Sequence, residues 1–149
     1  MTAILCPVRG GPESQPTIQR ALELAKETSL EVVFLYVVNL DFLTHTASSR
    51  SKVITQELTQ LGLFILDAAQ HRADLAGVAS KGEVRHGKVM EQIKELSAEI
   101  NARYIVLGAP RHEREQNVFE RQQMTDFFDH LKAETGAEIV LVEPVADEN

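Results

Sequence analysis

The run EVVFLYVV, residues 31–38, decides the fold. From Val32 to Val38 it is apolar without a break, whereas a strand with one face in water alternates apolar and polar residues. A continuous run this short, rich in β-branched and aromatic side chains, predicts a strand covered on both faces. Further runs lie on either side of it: AILCPV (3–8), a weaker SKGEVRH (80–86), YIVLG (104–108) and AEIVLVE (137–143). The segments between them carry helical spacing. Ile18, Ala21, Leu22 and Ala25 make one apolar stripe, and Val53, Leu58, Leu61, Ile65 and Ala68 a second. Val89, Ile93, Leu96 and Ile100 make a third, and Met124, Phe127, Phe128 and Leu131 a fourth. Strand and helix therefore alternate along the chain. Crossovers of a dozen or more residues allow parallel pairing, and their right-handed sense puts helices on both sides of the sheet. The expectation is an α/β fold: one open, doubly wound, five-stranded parallel sheet.

Local signals mark the boundaries. Ser14 is placed to cap the first helix, with Pro16 in the opening turn, where a missing N–H costs little. Gly87 precedes the third helix, and Gly136 sits where the fourth should end. HTASSRS (45–51) is a polar lead-in to the second helix, and no stretch reads as an inter-domain linker. The chain is expected to form a single domain over 1–149, with a frayed tail from about 145.

Composition narrows the function classes. The chain has 149 residues, 44% hydrophobic and 25% charged, which suits a globular core. Its 22 acidic and 15 basic side chains give a net charge of −7, and the basic ones form no stripe, which argues against nucleic-acid binding. No apolar run approaches the length needed to span a bilayer, and MTAILCPVRGG lacks a secretion pattern, so a cytoplasmic location without membrane insertion is expected. The single cysteine, Cys6, reads as a small buried hydrophobe in a strand. The five histidines at 45, 71, 86, 112 and 130 show no HExxH and no compact ligand spacing, so no metal is expected. His112 with Glu113 and Glu115 reads as a solvated charged loop.

In an open parallel sheet, ligands bind beyond the carboxyl ends of the strands. Three loops reach that end: VRGGPES (8–14), VVNLD (37–41) and LGAPRHERE (107–115). None contains GxGxxG or GxxxxGK[ST], and no serine occupies a GxSxG elbow. No catalytic residue can be named. What remains is a binding crevice lined by Arg9, Gly10, Gly11, Val38, Asn39, Gly108 and Arg111. Gly10 and Gly11 bring backbone near a ligand or simply turn the chain. Arg9 pairs with a phosphate or carboxylate, or with an acid such as Asp41.

The chain resembles the universal stress protein family. The resemblance is carried by ILCPVRGGPES with QRALELAKETSLEVVFLYVV, by VRHG (84–87) with KVMEQIKELSAEINARYIVLG (88–108), and by IVLVEP (139–144). It implies strand order 3-2-1-4-5, a crevice between strands one and four, dimers through the last strand, and regulatory roles rather than one conserved reaction. Many members bind ATP or AMP through a glycine after strand four, two residues, a second glycine, nine residues, then a glycine and a hydroxyl residue. Here those positions are Gly108, Arg111, Arg121 and Gln122, and only the first is kept. Arg9 also stands where the family usually has an aspartate. Glycines let successive amides wrap phosphate oxygens, and arginines resist that backbone shape although their guanidinium groups supply charge.

The resemblance thus leads to a dimeric regulatory or interaction module that binds a protein partner and has no usual ATP site. The alternative is a sensor in which ATP, AMP or another small anion occupies the same cleft. Under the family's strand order AEIVLVEP lies at a sheet edge, and two copies are expected to pair through Glu138, Ile139, Val140, Leu141, Val142 and Glu143.

Overall fold

The computed structural model describes residues 3–9, 14–39, 48–108 and 118–142. Nine elements follow in alternation: β1 (Ala3–Pro7), α1 (Gln15–Thr28), β2 (Glu31–Val38), α2 (Ser48–Leu75), β3 (Ser80–His86), α3 (Val89–Glu99), β4 (Ala102–Gly108), α4 (Val118–Thr135) and β5 (Glu138–Val142). The strands form one sheet in the order β3-β2-β1-β4-β5, and every neighbouring pair is parallel. The α/β class and the order 3-2-1-4-5 are those expected. β4 starts two residues earlier than its apolar run, at Ala102.

Two apolar layers sandwich the sheet, which explains why the strand sequences do not alternate. Ile4, Cys6, Val32, Phe34 and Val106 pack with α1 and α2, while Leu5, Val33, Leu35, Ile105 and Leu107 pack with α3 and α4. Successive β2 residues therefore meet different helices, and both sets must be apolar.

The first helix buries the whole stripe expected of it. The second does not. Gly62, Leu66, Ala69 and Ala73 face the sheet, Leu58 and Ile65 are half-buried, and Val53, Leu61 and Ala68 point outward. Apolar residues lie almost all round α2, so spacing alone leaves its rotation open. Contact with the sheet settles it through the small residues. A Cβ on Gly62 would stand 2.5 Å from the Tyr36 ring, so only a glycine lets the helix lie this close to β2.

Turns and ion pairs fix the connections. Gly136 has φ 71°, and its N–H bonds the Lys132 carbonyl at 2.9 Å, ending α4 as its position predicted. Gly87 has φ 139°, and its N–H bonds the Val38 carbonyl at 3.0 Å, tying the end of β3 to the end of β2. Arg85 donates two hydrogen bonds to Glu99, at 2.7 and 2.9 Å, and also pairs with Glu83, so β3 is clamped to the end of α3. Those bonds hold the Glu99 carboxyl below the usual carboxylate range.

Cys6 is fully buried in the layer under α1, and burial pushes its thiol up to about 12. Only the thiolate attacks disulfides. At pH 8 the native protein is therefore expected to be inert to an aromatic disulfide reagent and to release one thiol equivalent after denaturation. Labelling of native protein within minutes would contradict this burial.

Candidate functional site

The carboxyl ends of β1, β2 and β4 lie side by side. The chain moves outward from β1 to β2 and β3, then crosses back to β4 on the other side of β1. At such a reversal the loops diverge and leave a crevice. Arg9, Val38, Asn39 and Gly108 are all brought to this end of the sheet. Gly10, Gly11 and Arg111 lie outside the described residues.

Each described residue has a local role. Arg9 is exposed two residues beyond β1, and its backbone N–H bonds the Ser14 hydroxyl at 3.1 Å. Ser14 thus ties the start of α1 to Arg9 beyond β1 and makes no side-chain cap to α1, against the expectation from its position. Val38 is buried, and its carbonyl already accepts the Gly87 N–H. Asn39, next to it, is exposed at the mouth.

Gly108 ends β4 beside the first turn of α1. A Cβ there would come within 2.9 Å of the Thr17 hydroxyl. Thr17 is 4% exposed and β-branched, so it has little freedom to withdraw. Close packing of α1 on β4 is therefore enough to require a glycine at 108. Sequence reading missed Thr17, because a threonine in a first helical turn carries no signal of its own. Its partner across the sheet becomes visible only when β4 is brought beside α1.

The third and fourth positions of the expected nucleotide motif, Arg121 and Gln122, are the fourth and fifth residues of α4. Backbone N–H groups in an α-helix bond carbonyls four residues back. For Gln122 the acceptor is Val118, so its N–H is committed within the helix. Among the described residues no three His, Cys, Asp or Glu side chains converge as a metal site, and no helix is long and apolar enough to cross a membrane.

Gly108→Ala is expected to destabilise the protein by about 1–3 kcal/mol through overpacking against Thr17. In a Thr17→Ala background the same change should cost well under about 1 kcal/mol, because the clash is gone. Denaturant unfolding of the four chains measures this, and equal costs in both backgrounds would refute the packing role.

A model of the universal stress protein family matches residues 1–122. No curated protein sequence matches the chain. Among solved structures, a universal stress protein family member from Burkholderia pseudomallei is similar with TM-score 0.70 and 21% identity, with 95% of each chain covered. A universal stress protein in complex with cAMP is similar with TM-score 0.67 and 16% identity, over 95% of this chain and 96% of that one. A universal stress protein family protein from Arabidopsis thaliana with AMP bound is similar with TM-score 0.67 and 12% identity, over 99% of this chain and 95% of that one. At these identities the likeness shows a shared fold and nothing finer. The family match spans most of the sequence, and the chain belongs to the universal stress protein family.

Proposed function

We propose that this chain is a regulatory interaction module of the universal stress protein type, whose crevice does not hold ATP in the family's usual way and whose copies pair along β5. The backbone at Gln122, the last position of the expected motif, carries this reading. A polyphosphate needs several peptide nitrogens turned toward it, and α4 uses that of Gln122 for its own hydrogen bond. Gly108, the one motif glycine that is kept, has a sufficient reason in its packing against Thr17. Arg9 supplies a positive charge where the family usually presents a carboxylate. Charge of that sign attracts an anion but builds no nest.

A second reading has support of its own, because similar structures hold AMP or cAMP. A single phosphate demands less of the loop than three. Arg9 and Arg111 would take the charged end and Asn39 would meet the base, while Val38 has its carbonyl occupied by Gly87. ATP itself is disfavoured in either reading.

The pairing proposal rests on the sheet edge. β5 is the terminal strand beside β4. Its Ile139, Val140 and Val142 are half-buried in one copy, and Leu141 is 45% exposed. Glu138 guards one end, and Glu143 lies outside the described residues. An edge of this kind is commonly covered by a partner. A second protein would then meet a two-fold assembly rather than a single domain.

Native mass spectrometry and calorimetric titration test the ligand question. The chain is expected to carry no nucleotide after purification and to give no saturable heat with ATP up to about 1 mM, a Kd limit near −4 kcal/mol. Tight ATP binding would overturn the first reading, and AMP or cAMP binding that is lost in Arg9→Ala would establish the second. For the dimer, Leu141→Lys is expected to turn it into a monomer at about 10 µM without lowering the melting temperature, since that side chain is outside the core. A dimer unchanged by this substitution would exclude β5 as the interface.

A further inference from the structure

The outward face of α2 carries an apolar stripe that nothing in the sheet explains. Val53 is 53% exposed, Phe64 72% and Leu75 77%, with Leu61 at 48% beside them. Glu57 and His71 are exposed on the same face. At about 100° per residue, offsets of seven and eleven positions return to within roughly 20° of the starting direction. Val53, Glu57, His71 and Leu75 stand at −11, −7, +7 and +11 from Phe64, so all five residues share one line along the helix. The stripe runs about 33 Å from Val53 to Leu75.

Its symmetry identifies the occupant. An isologous contact requires that residue i meet j and j meet i across the axis. With the axis beside Phe64 and two α2 helices antiparallel, Phe64 meets its own copy. Glu57 then faces His71 of the second copy, a carboxylate against an N–H donor, and each Val53 faces a Leu75. Leu61 falls beside Ala68 of the second copy, which is small enough to admit it. Every large member finds a complementary one, twice. A different protein would have no reason to match a pattern that reads the same from both ends. A lipid surface would have to desolvate Glu57, Asp67 and His71.

We propose that the outer face of α2 is a self-association surface, on which a second copy of this chain packs antiparallel about Phe64. α2 covers β2 and β3, on the opposite side of the sheet from β5, so the contact is independent of edge-strand pairing. Five principal side chains make less than a standard interface of roughly 800 Å² per partner, so association is expected to be weak, with Kd of about 100 µM. If β5 pairing also operates, copies can join alternately through the two surfaces into larger assemblies.

A charge swap measured in the Leu141→Lys background separates the two contacts. Sedimentation velocity over a concentration series to about 500 µM, five times the expected Kd, is expected to show a monomer–dimer equilibrium for Leu141→Lys alone. Glu57→Lys and His71→Glu should each weaken it about tenfold, because each change acts at two symmetric pairs. The two together should restore it to within about threefold. Within one helix these residues are about 21 Å apart, so restoration can arise only between copies. Phe64→Glu should abolish the dimer. Circular dichroism checks that these exposed substitutions leave the fold intact. A Leu141→Lys chain that stays monomeric throughout, or losses from Glu57→Lys and His71→Glu that simply add, would overturn the proposal.

Discussion

The rest of the structure depends on the burial of β1 from all sides. Its backbone bonds β2 on one edge and β4 on the other, and Ile4, Leu5 and Cys6 are wholly inaccessible. A strand in that position has no water to satisfy its amides, so both neighbours are obligatory. Its side chains must also be apolar on both faces. From this follow the two helical layers, α1 with α2 and α3 with α4. The reversal of chain direction across the sheet follows too, because β2 and β4 lie on either side of it. A crevice at the strand ends is the expected by-product of such a reversal.

How the crevice is finished depends on a few short-range contacts. Ser14 joins the start of α1 to Arg9, Gly108 lies close against Thr17 of α1, and Gly87 joins the ends of β2 and β3. Each contact takes up a polar group or fills a gap at this end of the sheet. A glycine kept at 108 is consequently ambiguous as a functional mark. Packing and phosphate binding both call for a missing Cβ, and here packing supplies a sufficient cause.

The two outer surfaces of interest lie at opposite ends of the sheet. β5 offers the edge of the sheet, and α2 offers side chains. Association through the first would draw on directional hydrogen bonds, and through the second on apolar contact and one repeated polar pair. Both suit a protein whose net charge of −7 already discourages indiscriminate association.

The sequence by itself determined the alternation of strands and helices, the parallel two-sided sheet and the buried stripe of α1, since uninterrupted apolar runs such as Val32–Val38 admit few other arrangements. The order of the strands was legible only through the family resemblance. Tertiary structure alone decided the rotation of α2. With apolar residues from Leu58 to Leu66 around most of its circumference, periodicity favours no single face, and the close fit of Gly62 on Tyr36 makes the choice. It also decided what Ser14, Thr17 and Gly108 do, because their partners are distant in sequence or compete with a local alternative. Strand patterning is a local property of alternating side-chain directions. Helix rotation and crevice lining depend on which surfaces meet, and that is settled only when the layers pack.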